Sequence, residues 1–221
     1  MRLADHKPKI NAMKKIIGLT GKYCAGKNQA AVVLEQRGFS VLDLDLLGHL
    51  ALETEKEAIT AKFGSSIIDS DGRINRRLLG KIVFNNPLKL AELEAIVHPA
   101  VNLMTEQWIS GQTKDCVLNA AVLHKSSFFN KLDFIILIEA PFFTRLSRAK
   151  RRDKLSLCNL LKRFASQKGY TPQYLSGKAE IYRVENSGFL INPGSSIKLR
   201  QRAAKFEEKI DEILKIKGIK G

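Results

Sequence analysis

The sequence predicts an α/β fold built on a parallel sheet, and three observations carry that prediction. A short apolar run, Ile16, Ile17 and Leu19, leads directly into a glycine-containing turn and then a helical pattern. Similar short runs recur at Phe39 to Leu42, Asp115 to Leu123, Phe134 to Ile138 and Phe189 to Ile191, with helical stretches between them. The 221 residues, 44% hydrophobic and 27% charged, suit one sizeable domain, residues 14–221, preceded by a disordered extension or misassigned start over residues 1–13.

The first run is followed by Gly21, Gly26 and Lys27, the spacing G-x-x-x-x-G-K of a phosphate-binding loop. Glycines let the backbone curl so that successive N–H groups point inward at phosphate oxygens. Lys27 adds a mobile positive charge, and the helix starting near Gly26 aims its positive end at the same anion. The alternative is a plain glycine turn with a solvated lysine, and the strand-loop-helix context argues against it. The eighth position departs from the pattern: it is Asn28, where a Ser or Thr hydroxyl would bind Mg²⁺.

Gln29 to Arg37 reads as a helix closed by Gly38, and Phe39 to Leu42 as the second strand. Asp43 and Asp45 then fall at its carboxyl end, where open α/β sheets bind ligands. Asp45 can equally be the N-cap of a helix beginning at Leu46. Leu46 to Phe63 is helical and ends at Gly64, and Asp69 to Gly72 is a turn. Helical spacing resumes after Asn75, breaks at Asn85-Asn86-Pro87 and is interrupted or kinked at Pro99, just after His98. Helices without intervening strands predict a helical insertion over residues 46–110.

Asp115 to Leu123 and Phe134 to Ile138 are the third and fourth strands. Ala140-Pro141 opens a helix carrying Arg145, Arg148, Arg151 and Arg152, and a polar stretch, Lys168 to Lys178, follows. An arginine-bearing helix before such a stretch suggests a lid over residues 148–180. Phe189 to Ile191 is the expected fifth strand, and Ser196 to about Lys215 a last amphipathic helix.

The net charge of +15 calls for anionic partners, either a polyphosphate or nucleic acid. The basic residues are spread along the chain and no nucleic-acid recognition motif appears, so nucleic acid is not the expected partner. Cys24, Cys116 and Cys158 form neither a C-x-x-C pair nor a metal-ligand spacing, which fits a reducing cytoplasm. No apolar run reaches membrane-spanning length, so no membrane association is expected.

Four segments taken in order resemble the dephospho-coenzyme A kinase family of P-loop kinases. They are IIGLTG at Ile16 to Gly21, GFSVLDLDLLGH at Gly38 to His49, the segment from Asp71 to Val101 ending in His98-Pro99, and RDKLSLCNLLKRFASQ at Arg152 to Gln167. The resemblance implies a three-layer α/β/α core with a five-stranded parallel sheet, a helical acceptor-binding insertion and a lid. It implies transfer of the γ-phosphoryl of ATP, with Mg²⁺, to the ribose 3′-hydroxyl of dephospho-coenzyme A; a monomer or weak oligomer is the expected state. By position, Gly21, Cys24, Ala25, Gly26, Lys27, Asn28 and Gln29 would hold ATP, with Arg148, Arg152 and Gln167 from the lid. Asp45 would be the base and Lys27 its catalytic partner. Arg76 and His98 would join Asp45 on the acceptor side, the His98 ring fixing the helix kink, and Asn28 would be a weak Mg²⁺ ligand.

Three departures bear on turnover. Lys22 and Cys24 replace loop glycines, Asn28 replaces the serine, and Ala121 to Lys125 reads AVLHK where the family has P-L-L-x-E. The Arg that follows the lid glutamine has Arg183 as its best candidate, reached across an insertion. Another small-molecule or nucleotide P-loop kinase, or a relative binding ATP with little turnover, is the alternative.

Overall fold

Ile16–Gly21 forms the central strand, β1, and five of its six residues are buried. In the computed structural model, which describes residues 14–84, 86–153, 155–165, 179–187 and 197–219, the sheet order is β2-β3-β1-β4-β5. Here β2 is Ser40–Asp43, β3 Cys116–Asn119, β4 Phe134–Glu139 and β5 Glu180–Glu185. Every pairing is parallel: Ile17 sits opposite Val117 on one side and Phe134 on the other.

Parallel pairing needs helical crossovers, and these cover both faces of the sheet. Ile17, Leu19, Val117, Phe134 and Ile136 pack against α1 (Lys27–Gln36) and the last described helix, α8 (Ile197–Ile216), through Leu34, Phe206 and Ile210. On the opposite face Leu118, Ile135 and Leu137 meet Leu44 and Ile109, from helices α2 (Leu44–Thr54) and α5 (Pro87–Gly111). Each such fully buried aliphatic side chain contributes about 1.5–3 kcal/mol. The layers are therefore helix, sheet and helix.

Between β2 and β3 lie α2, α3 (Lys56–Phe63), α4 (Arg76–Val83) and α5. They hold a core of their own, in which Ile59, Ile67, Ile74, Leu79 and Val83 are buried. Asn86 caps α5 by accepting from the N–H groups of Leu88 and Lys89, and Pro87 takes the first helical position, where a missing N–H costs nothing. Two further helices follow β4: α6 (Phe142–Asp153) and α7 (Leu157–Ala165).

The structure corrects several sequence expectations. The helix expected over Leu46 to Phe63 begins at Leu44 and divides into two at Glu55. Its cap is Asp43, which accepts from the N–H groups of Asp45 and Leu46, so Asp45 is not the N-cap. Pro99 does not interrupt α5, which runs unbroken to Gly111. Both Pro99 and Ala95, whose carbonyl loses its partner, are exposed, so water can take that bond. The third strand ends at Asn119, and Leu123–Lys125 is a 3₁₀ turn. The fifth strand is Glu180–Glu185, whereas Phe189 to Ile191 lies outside the described residues.

Candidate active site

Two cavities open at the carboxyl ends of the strands, and Asp45 lines both. The smaller, about 750 Å³, is walled by Gly21 to Gln29, Asp43, Ala121, Arg148, Arg151 and Arg152. The larger, about 1250 Å³, lies against α2, α4 and α5, with Arg76, Arg77, Glu94, His98 and Lys125 among its walls.

The loop between β1 and α1 owes its shape to two different constraints. At Gly21 a Cβ would lie 2.8 Å from the Ile138 carbonyl oxygen, so the close approach of β4 excludes a side chain. Gly26 has φ +104°, and a Cβ there would meet Asn186 Nδ2 at 2.1 Å. Cys24 adopts φ 59°, the left-handed region, which costs a non-glycine residue about 1–2 kcal/mol. No side chain caps α1; the Gln29 N–H turns to the Gly26 carbonyl, and those of Lys27 and Asn28 can serve an anion at this mouth.

Arg148 ties the loop down. Its Nη1 donates to the carbonyls of Cys24 (3.2 Å) and Ala25 (2.9 Å), and its Nη2 to the Asn186 carbonyl and Oδ1. Asn186, which is buried, in turn donates from Nδ2 to the Ala25 carbonyl at 3.1 Å and to Gln29 Oε1 at 3.2 Å. Arg148 thus spends four contacts on protein acceptors, a binding mode the sequence expectation of a nucleotide contact did not include.

Arg152 lies over the Tyr23 ring at 5.1 Å and pairs with Asp153 at 2.7 Å. Arg145 donates to the Ala140 carbonyl and lies over Phe164, whose ring meets Tyr23 edge-on at 5.4 Å. The α6–α7 pair is therefore seated on the loop through Tyr23 and Cys24. Burial pushes the Cys24 thiol pKa up, against the pull of Arg152 and Arg148. Gln167, and the lid beyond Ala165, lie outside the described residues. Arg183 sits in β5, exposed and 3.9 Å from Glu139.

Lys27 Nζ is 3.0 Å from Asp45 Oδ2, and both Asp45 oxygens accept from the Ala121 N–H at 3.3 Å. The Asp45 side chain keeps 44% of its exposure, enough to meet an incoming group. Asn28 is exposed at the cavity mouth. Arg76 opens α4 and, like His98, is exposed toward the larger cavity. Among the described residues no hydrogen bond from the His98 ring is found, and α5 runs past it through Pro99. Sequence inspection missed Asn186, 161 residues from its Ala25 partner. It also missed the pairing of Lys125 with Glu94, at 2.6 Å.

Gly26→Ala is expected to lower the thermal unfolding midpoint. The left-handed backbone alone costs about 1–3 kcal/mol, and the displaced Asn186 carboxamide adds to it. An unchanged midpoint in a melting experiment would mean that Asn186 yields freely.

A loop with the G-x-x-x-x-G-K spacing on the central strand of a parallel sheet, with a lysine–aspartate pair between two cavities, is the arrangement of a P-loop kinase. The dephospho-CoA kinase family model matches residues 15–181, and the chain belongs to that family. A dephospho-CoA kinase of Treponema pallidum is 32% identical over 217 residues, covering 93% of this chain and 97% of that one. One from Thermus thermophilus is 32% identical over 176 residues, covering 79% and 84%. Among solved structures, TT1252 from Thermus thermophilus superposes with TM-score 0.74 at 28% identity, covering 92% of this chain and 97% of that one. Shikimate kinase from Bacteroides thetaiotaomicron, at 12% identity and TM-score 0.51 with 91% and 98% covered, shares the fold.

Proposed function

We propose that this chain transfers the γ-phosphoryl group of ATP to the ribose 3′-hydroxyl of dephospho-coenzyme A, giving coenzyme A and ADP. The observation that carries the reading is the position of Asp45, on the wall shared by the two cavities and 3.0 Å from Lys27. ATP occupies the smaller cavity, its β- and γ-phosphates against the loop from Cys24 to Gln29, chiefly the N–H groups of Gly26, Lys27 and Asn28, and the Lys27 ammonium. The acceptor occupies the larger one and brings its hydroxyl to Asp45.

The Asp45 carboxylate takes the hydroxyl proton as the ribose oxygen bonds to the γ-phosphorus and the bond to the ADP oxygen breaks. Lys27 neutralises charge on the phosphoryl oxygens, and Arg152 lies at the same mouth. Arg148 serves the reaction by holding the loop in shape. Arg76 and His98 line the acceptor's path.

The oxygen donors at the mouth, the Asn28 carboxamide and the Asp45 carboxylate, suit Mg²⁺, a hard cation bound by few protein oxygens plus substrate phosphates. Bound there it would supply charge neutralisation of the phosphates. Asn28 reaches farther than a serine and meets octahedral geometry less readily. Asn28→Ser is accordingly expected to raise kcat more than it changes ATP affinity, and to sharpen the preference for Mg²⁺ over Mn²⁺. A fall in kcat in that variant would show that Asn28 is itself the better donor.

The acceptor assignment is tested by ADP release from purified protein with a panel of acceptors. Dephospho-coenzyme A should support turnover where nucleosides, nucleoside monophosphates and shikimate do not. Equal turnover with a nucleoside monophosphate would overturn the assignment.

A further inference from the structure

Lys125 stands where the family pattern carries an acid, and its surroundings give the exchange a chemical meaning. It closes the 3₁₀ turn that follows β3, four residues after Ala121, whose N–H is bonded to Asp45. Its Nζ reaches Glu94 Oε1 on α5 at 2.6 Å, and both residues line the larger cavity. A glutamate at 125 would face Glu94 as a like charge, so the two positions are matched to one another.

The charged groups lining this cavity are Asp45, Asp69 and Glu94 against Arg76, Arg77 and Lys125. Asp69 is occupied by the N–H groups of Asp71 and Arg73 in its own turn. Asp45 is occupied by Lys27 and the Ala121 N–H. An ammonium has three donors, and among the described residues Lys125 uses one of them, on Glu94. The side chain lines the cavity and is 45% exposed, so its remaining donors are open to a bound group.

Dephospho-coenzyme A carries its negative charge on one group, the diphosphate that joins its neutral pantetheine arm to its adenosine. Apolar walls such as Val83, Val97 and Val101 suit the arm. We propose that Lys125 is a specificity-determining residue that donates to a phosphate oxygen of the acceptor's diphosphate, with Glu94 as the positioning residue that holds the ammonium in the cavity. This rests on the acceptor assignment proposed above.

The test compares the parent with Lys125→Met, Lys125→Arg and Glu94→Gln by steady-state kinetics and thermal melting. In Lys125→Met the KM for dephospho-coenzyme A should rise about tenfold to a hundredfold, the range expected for losing a hydrogen bond to a charged group. The KM for ATP and the melting midpoint should hold. Lys125→Arg should restore most of the affinity, and Glu94→Gln should give a smaller rise. Adenosine, which lacks the diphosphate, should inhibit the parent and Lys125→Met with the same constant. An unchanged KM for dephospho-coenzyme A in Lys125→Met, or an equal loss for adenosine, would overturn the role of Lys125. If Lys125→Met melts early, Lys125→Gln, which is polar but uncharged, decides instead: a raised KM for dephospho-coenzyme A at the parent's midpoint supports the contact, and an unchanged KM refutes it. A parent that neither binds nor phosphorylates dephospho-coenzyme A would overturn the acceptor assignment itself, and this contact with it.

Discussion

Lys27→Ala should lower kcat/KM by about a hundredfold or more, because electrostatic stabilisation carries most of phosphoryl-transfer catalysis. In the folded protein Lys27 is the second residue of the glycine–lysine pair that opens α1, and its ammonium already sits 3.0 Å from Asp45. The ion pair is partly exposed and contributes little to folding, so the melting midpoint should move only slightly. The change is therefore expected in turnover and not in stability. A coupled assay of ADP formation measures it. Parent-like turnover in Lys27→Ala would remove the loop from the mechanism.

Asp45→Asn should abolish most activity while ATP affinity and the melting midpoint stay near the parent's. Asparagine keeps the shape of the side chain and its carbonyl can still accept from the Ala121 N–H, but it cannot take a proton. The prediction is sharper than the sequence alone allowed. Asp43, not Asp45, caps α2, so no helix N-terminus is lost in the variant. Asp43→Ala is the matching control: loss of the cap should cost about 0.5–2 kcal/mol of stability. Should Asp45→Asn lose stability and activity together, the carboxylate would be a structural element of the loop–helix junction.

The elements read correctly from sequence are those whose local pattern and tertiary role agree. The run Ile17 to Leu19 is buried on both faces, as an uninterrupted apolar strand should be, and Phe134 to Ile138 behaves alike. The fifth strand was misplaced for the opposite reason. EIYRVE is an edge strand with one fully buried residue, Val184, and charged side chains at three positions, so hydrophobicity does not mark it. Asp43 and Asp45 could not be separated by spacing, because either can precede a helix in the sequence DLDLL. Backbone hydrogen bonds decide between them. The supports of the site, Asn186 under Gly26 and Glu94 beside Lys125, depend on residues far apart in the chain. No local pattern announces such contacts.

The measurement closest to the central claim is the position of the phosphate on the product. Protein incubated with ATP and dephospho-coenzyme A should yield ADP and an equal amount of a product whose new phosphorus resonance is a monoester coupled to the ribose 3′ proton. Phosphate on a different hydroxyl, or ADP formed at the same rate without the acceptor, would contradict the placement of the acceptor ribose at Asp45.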